Sequence, residues 1–386
     1  MRVVVAPDKF KGSLSAGAVA AHIAAGLKSR IPGLEVAEVP VADGGEGTLE
    51  AAFAAGYSEI VHEVSGPAGG PVRASIAVRG PEAVVEMATA SGLALLPEGE
   101  LRALTASSRG TGELIRHALD AGCTRIVIGV GGSACTDGGA GLLSGLGARM
   151  LDAQGAELPP GGAALQQLSR ADLSGLDERL KDTLIILASD VDNGLLGPNG
   201  AAAVFAPQKG ATAGDIVELE AGLARLVRVL AQELGPRAVE LSQAAGAGAA
   251  GGTGYAALAV LDAVRKPGID VVLDFTRLAD QLAGASLVVT GEGSLDRQSL
   301  MGKTPLGVAR LAAAHGLPAF AVCGRLALTQ DQLREAGFER AYALTDLEED
   351  TARCMAEAGA LVEQLGAAIA DQLAAPAQGQ LQNTEG

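Results

Sequence analysis

The sequence predicts an α/β protein. Both chain ends build one five-stranded parallel sheet with helices on both faces, and the middle of the chain forms a second, inserted, mixed α/β domain. Three observations carry this. Apolar β-branched runs alternate with helix-period segments up to about residue 60, and the same rhythm returns from about 286. Between the two, the rhythm breaks into strand-like runs joined by Gly/Pro turns. At 386 residues the chain is also long for a single domain.

The first strand is RVVVA at 2–6. The loop PDKFKGSLS follows, then AGAVAAHIAAGLKSR with helical spacing and Ser15 as its N-cap. LEVAEVPVA is a second strand, DGGEG a turn, and TLEAAFAAG a helix. YSEIVHEVSGP, GGPVRASIAVRG and EAVVEMATA then read as a meander. Helices start near Ser108 and Asp137, TRIVIGVGG and TLIILASDV are buried strands, and 216–234 is an amphipathic helix. GAGAAGGTGYAALAVLDAV runs from a glycine loop into a helix. At the back, SLVVTGEG is a strand and loop, TPLGVARLAAAHG a helix, PAFAVCG a strand, LTQDQLREAG a helix and ERAYALTD a strand. A helix over 353–374 closes the fold. This places one domain at 1–60 plus 281–375 and the inserted domain at 61–280. The polar tail 376–386 is expected to be disordered.

Composition narrows the function. Hydrophobic residues make up 48% but aromatics only 2%, so the cores must be Ala, Val and Leu. A net charge of −16 argues against nucleic-acid binding, which needs a basic footprint. The chain has no run of 18 apolar residues, and its N-terminal apolar run is too short for a secretory leader, so neither a membrane span nor export is expected. Four cysteines without zinc spacing imply reduced thiols and a cytoplasmic home; four scattered histidines make a His-ligated metal a poor fit. Of only seven lysines, Lys9, Lys11, Lys209 and Lys303 lie in or beside Gly/Pro loops, where an anionic ligand would need them.

Several glycine loops carry more than glycine: SSRGTGEL, GVGGSACTDGGAG, APQKG and GEGSLDRQSLMGKTP. The last is not a Walker A loop, because Arg297 stands where GxxxxGK[ST] needs its first Gly. Asp296 likewise breaks a GxGxxG fingerprint begun by Gly291 and Gly293, which speaks against a nicotinamide oxidoreductase. Carboxylates recur just after strands: Asp8, Asp43 and Glu46, Asp190 and Asp192, Glu292 and Asp296. Ligands of open α/β sheets bind beyond the carboxyl ends of strands. Any one of these acids could instead be a helix cap. Asp190 and Asp192, two apart on an extended segment, would face one side and suit Mg²⁺ shared with phosphates. Lysines, strand-end acids and glycine loops together fit phosphoryl transfer.

In the order VVVAPDKFKGSLSA, PVADGGEGT, SRGTGELI, GVGGSACTDGGAG, SDVDNGLLGPNGAA, APQKGA, GAGAAGGTG and TGEGSLDRQSLMGKTPLGVA, the motifs resemble the bacterial glycerate kinase family of the first type over about residues 1–372. Members often have Ser at Lys9, Pro at Gly194 and Gly at Ala206. The resemblance implies a flavodoxin-like domain and a restriction-endonuclease-like domain with the active site in the cleft between them. It also implies ATP and Mg²⁺, and phosphorylation of D-glycerate to 2-phosphoglycerate in glycerate, glyoxylate or glucarate catabolism. No nucleic-acid or membrane partner is implied, and a homodimer is compatible. Alternatives are a kinase giving 3-phosphoglycerate, one acting on a related hydroxy acid, or a catalytically silent ligand-binding relative.

Within that frame, Asp190, Asp43 and Lys11 are expected to be catalytic. Arg109, Glu46, Ser108 and Asp8 are expected to bind substrate, Arg109 because a guanidinium matches a carboxylate bidentately. Gly131, Gly132, Ser133, Gly251, Gly252, Lys303, Glu292 and Asp296 are expected to take the nucleotide, and Asp190 and Asp192 the metal. The glycines of VADGGEGTLEA then serve a tight turn that presents Asp43 and Glu46, not a phosphate cradle.

Overall fold

The computed structural model describes residues 1–375, and the tail expected to be disordered lies outside them. The chain divides into two compact units, one of Met1–Ala42 with the segment from Leu273 on, the other of Asp43–Val272.

The first unit is built on a five-stranded sheet in the order Phe338–Ala343, Ala319–Leu326, Leu287–Leu295, Arg2–Pro7, Glu35–Glu38, with every neighbouring pair parallel. Val3, Val4 and Val5 are fully buried because both faces are covered. Val3, Val5, Leu287 and Val289 share a core with Ile23 and Leu27 of helix Ala16–Arg30 and with Val362 and Ile369 of helix Ala358–Ala374. Val4 and Val288 point the other way, as strand alternation requires, and helix Thr304–Ala314 packs against the same strands. Ser15 caps the first helix as expected, its side chain accepting from Ala18 N–H. The closing helix is two, Thr351–Ala356 and Ala358–Ala374, broken at Glu357. The strand Leu287–Leu295 runs through Gly291 and Gly293, which the sequence reading put in a loop. Glycine is needed there because a Cβ on Gly291 would lie 2.0 Å from the Val322 carbonyl oxygen.

The second unit holds a six-stranded mixed sheet in the order Val264–Lys266, Leu184–Ala188, Arg125–Gly129, Glu82–Glu86, Pro71–Arg79, Ser58–Ser65. The first four strands run parallel and the last two close an antiparallel meander. Helix Thr48–Ala54 belongs to this unit, although the sequence reading grouped residues up to 60 with the chain ends. Its first turn is held by Glu86, a buried carboxylate whose Oε2 accepts from Gly47 and Leu49 N–H at 3.2 and 3.0 Å. That satisfies two of the orphan donors of a helix N-terminus.

In the first unit, the crossing of helices Ala16–Arg30 and Ala358–Ala374 depends on Gly26. A Cβ there would stand 2.1 Å from the Glu363 carbonyl oxygen and 2.9 Å from Gly366 Cα. Alanine raises helix propensity by about 1 kcal/mol, but forcing the two helices apart costs about 1–3 kcal/mol or more. Gly26→Ala is therefore expected to lower the urea midpoint of this unit; a raised midpoint would mean that the crossing yields freely.

Candidate active site

In the second unit, the carboxyl ends of two parallel strands, Val264–Lys266 and Arg125–Gly129, and the loops after them meet the turn Asp43–Gly47 backbone to backbone. A Cβ on Gly268 would lie 1.8 Å from the Asp43 carbonyl oxygen, one on Gly129 2.6 Å from the Gly44 carbonyl oxygen, and one on Gly131 2.6 Å from Gly45 Cα. Gly44 itself sits at φ +82°, open to glycine but costly for other residues. The glycines of DGGEG, expected as turn formers, do turn the chain, and the glycines that face them, Gly129, Gly131 and Gly268, admit their backbone.

This packing brings carboxylates together. Asp190 Oδ1 accepts the Gly268 N–H at 2.8 Å, and Asp43 Oδ1 accepts the Gly45 N–H at 3.1 Å. Among the described residues, neither second oxygen has a donor. Asp190 keeps solvent contact, but the chain packed around its carboxyl desolvates it. That burial, with the charges of Asp43 and Asp270 added, pushes its pKa up to about 6 against the pull of the Gly268 N–H and Arg265. Asp192 does not share this site with Asp190 in the way the i, i+2 spacing suggests. Its Oδ1 is paired with Arg265 Nη2 at 2.6 Å, and residues 189–193 are not a strand. Glu46 is exposed.

The loop Gly131–Ser133 follows strand Arg125–Gly129. Its anchor is Lys209, a lysine the sequence placed beside a Gly/Pro loop. Lys209 is 1% exposed, and its Nζ donates to Ser133 Oγ at 3.0 Å and to the Cys135 carbonyl. Proline and glycine around it signalled a turn, but nothing local signalled burial. Gly251 and Gly252, expected at the nucleotide, are buried with positive φ. A Cβ on Gly251 would meet the Cys135 carbonyl oxygen at 2.1 Å, so their faces are filled by protein.

Ser108 is buried and its hydroxyl is spent. It donates to Asp137 and accepts from Leu142 N–H at 2.8 Å. Asp137, buried too, also takes N–H groups of Ser108, Gly139 and Gly141. Arg109 is half exposed, with Nε on Glu113 Oε1 at 2.9 Å. Among the described residues it is the only basic one lining a cavity of about 300 Å³ that Ser65, Ser107 and Ser144 also line.

In the first unit, counted along the chain, the strand order is 5-4-3-1-2, so the order reverses between Arg2–Pro7 and Leu287–Leu295. Doubly wound sheets bind ligands at this switch point. The loops there hold Asp8, Lys9, Lys11 and Asp296, Glu292 lies on strand Leu287–Leu295 itself, and Lys303 is at the N-cap of helix Thr304–Ala314. Lys11 is exposed and Lys303 half-buried. Asp8 works inward: Oδ1 accepts from Lys9 N–H and Oδ2 from Thr304 Oγ1, both at 2.7 Å. Asp296 Oδ1 accepts from Gln298 N–H and organises its own turn.

Comparison with known proteins adds the following. A family model described as the glycerate kinase family matches residues 3–374. A glycerate kinase of Bacillus subtilis (strain 168) is 44% identical over 89% of this chain and 90% of its own. A glycerate 2-kinase of Escherichia coli (strain K12) is 45% identical over the same shares. The crystal structure of a putative glycerate kinase 2 from Salmonella typhimurium LT2 superposes with a TM-score of 0.84 at 42% identity, covering 97% of this chain and 98% of that one.

The electrostatics of Asp190 make a stability prediction that activity does not enter. Its pKa in the fold is about 6 against an ordinary 3.8. The stability this contributes is full below about 3.8 and is lost as pH rises through 6. Ionised Asp190 thus weakens the fold at neutral pH. Asp190→Asn, which keeps an acceptor for Gly268 N–H, is expected to show a higher urea midpoint than wild type at pH 7.5. The two should converge by about pH 4; parallel curves across that range would refute the shift.

Proposed function

Because the chain belongs to the glycerate kinase family and is a phosphotransferase, we propose that it moves the γ-phosphoryl group of ATP to the 2-hydroxyl of D-glycerate, giving 2-phosphoglycerate. The observation that carries the reading is Asp190: one carboxylate oxygen held by Gly268 N–H, the other open, and a pKa of about 6. A base poised near the working pH is suited to take the proton of the attacking hydroxyl. The Escherichia coli relative is named for transfer to the 2-position.

Gly131–Ser133 is the loop assigned to the nucleotide phosphates, and Arg109 is assigned to the glycerate carboxylate, with two nitrogens of its guanidinium still without a partner among the described residues. Lys11 and Lys303, at the carboxyl end of the first unit's sheet, are assigned to anionic oxygens of the substrates. Among the described residues, no group of three or more His, Cys, Asp or Glu is arranged to hold a metal ion. Magnesium must then share its shell with ATP phosphates, as it commonly does. The residue that fits it is Asp43, whose open oxygen lies beside a second carboxylate strongly enough coupled to raise the pKa of Asp190. When bound, the ion neutralises charge on the transferring phosphoryl group. Asp192, engaged by Arg265, is not needed for it.

Among the described residues, no helix is long and apolar enough to cross a membrane, and all four cysteines are free and buried. We take the cytoplasm as the place of action.

The direct test is ADP release with and without D-glycerate, with the product identified by phosphorus NMR. A signal from 3-phosphoglycerate, or ADP release indifferent to glycerate, would overturn the assignment. Asp190→Asn should lower kcat by about 10²–10⁴-fold at every magnesium concentration, whereas Asp43→Asn should raise the magnesium needed for half-maximal rate. Arg109→Ala should raise the glycerate KM about 10-fold or more with little change in that of ATP.

A further inference from the structure

A buried lysine needs a reason. Lys209 ends the short turn Pro207–Lys209 and lies 1% exposed, where burial pushes its pKa down against the charges of Cys135 and Asp137. Taking an ammonium out of water is costly unless its protons are well used. Both of its acceptors, Ser133 Oγ and the Cys135 carbonyl, belong to one loop, the one that follows strand Arg125–Gly129. The cost is therefore spent on the conformation of that loop.

The hydrogen bond to Ser133 also has a direction. Nζ donates, so Ser133 Oγ is the acceptor, and a hydroxyl has one proton of its own left to give. Among the described residues that proton has no acceptor. The backbone N–H groups of Gly132 and Ser133 have none either, while the Gly132 carbonyl is turned away to accept from Leu93 N–H at 2.8 Å. Gly132 sits at φ +71° and is exposed. Successive N–H groups around such a residue form a concavity suited to anions. Three donors thus lie within two consecutive residues, without an acceptor among the described residues.

We propose that Lys209 is a positioning residue for phosphoryl binding: by donating to Ser133 Oγ and the Cys135 carbonyl, it turns the Ser133 hydroxyl and the Gly132–Ser133 N–H groups into a preset site for phosphate oxygens of ATP. The inference rests on the nucleotide assignment of this loop but adds a residue that does not touch the substrate.

The test uses the full chain and ATP binding by calorimetry, which does not depend on turnover. Lys209→Met fills a similar space without the charge: it removes the desolvation cost of a buried ammonium but also its two hydrogen bonds, and the acceptors left behind, the Ser133 hydroxyl and the Cys135 carbonyl, are neutral. The expected result is a folded chain with a melting temperature at most modestly lowered, ATP bound at least 10-fold more weakly, and an ATP KM raised by a similar factor with the glycerate KM little changed. Ser133→Ala should weaken ATP in the same way, and the double variant should be no worse than the single ones. Unchanged ATP affinity in folded Lys209→Met, or a shift confined to the glycerate KM, overturns the proposal. If Lys209→Met does not fold, Ser133→Ala decides, and wild-type ATP affinity there overturns it. A wild-type chain that binds ATP but ignores glycerate would defeat the substrate assignment and leave this one standing.

Discussion

The second unit depends on backbone meeting backbone where side chains would normally intervene. The Asp43 carbonyl faces Gly268, the Gly44 carbonyl faces Gly129, and Gly45 lies on Gly131, each at a distance that excludes a Cβ. Interiors are packed tightly enough that such contacts cannot be opened at one point without moving the elements behind them. The consequence is chemical. With the turn drawn onto Gly268, the N–H of Gly268 can hold Asp190 while Asp43 comes close enough to raise its pKa. Of the 54 glycines, Gly44, Gly45, Gly129, Gly131 and Gly268 make sense as what it takes to assemble a polar site from loops that touch.

Buried charges fix those loops once they meet. Glu86 takes the first N–H groups of helix Thr48–Ala54, Asp137 takes those of Ser108, Gly139 and Gly141, and Lys209 takes oxygens of Ser133 and Cys135. The hydrogen-bond partners named here are backbone or hydroxyl groups. Hydrogen bonds to charged groups are worth about 1.5–3 kcal/mol each, and leaving such a group unpaired costs more. A loop held this way has little freedom to relax. With a net charge of −16, the chain has no general attraction for anions. Affinity for a polyphosphate must come from donors placed locally, which is why loop rigidity bears on binding.

How much of this was legible follows from which signals are local. The five-stranded parallel sheet and the meander were readable, since apolar runs such as RVVVA and the Gly/Pro turns after residue 65 depend on neighbours in sequence. Helix Thr48–Ala54 was readable as a helix but not as to its unit, because its partner Glu86 lies 39 residues from Gly47. Gly291 and Gly293 read as a loop because glycine is rare in strands, yet a crowded neighbouring strand makes glycine the residue that fits. The partners of Ser108, Lys209 and Asp192 were not legible for one reason. Sequence shows that a polar group is present but not whether it is already used, and tertiary partners Asp137, Ser133 and Arg265 use all three.

The first unit shows a different dependence, on chain order. Its two front strands, Arg2–Pro7 and Glu35–Glu38, are separated from the next strand of the sheet by the whole of the second unit. Arg2–Pro7 must pair with Leu287–Leu295, and the bond from Thr304 Oγ1 to Asp8 spans 296 positions. Two strands and a helix are too little to bury a stable core, so the first 42 residues cannot hold their fold until the C-terminal strands exist. The connection that carries the inserted unit is also the one across which the strand order reverses. Without that reversal, the loops after Arg2–Pro7 and Leu287–Leu295 would not flank a switch point. The feature that makes this unit slow to complete, a long-range pairing between chain ends, is therefore the same one that sets Lys11 and Lys303 beside the switch point of its sheet.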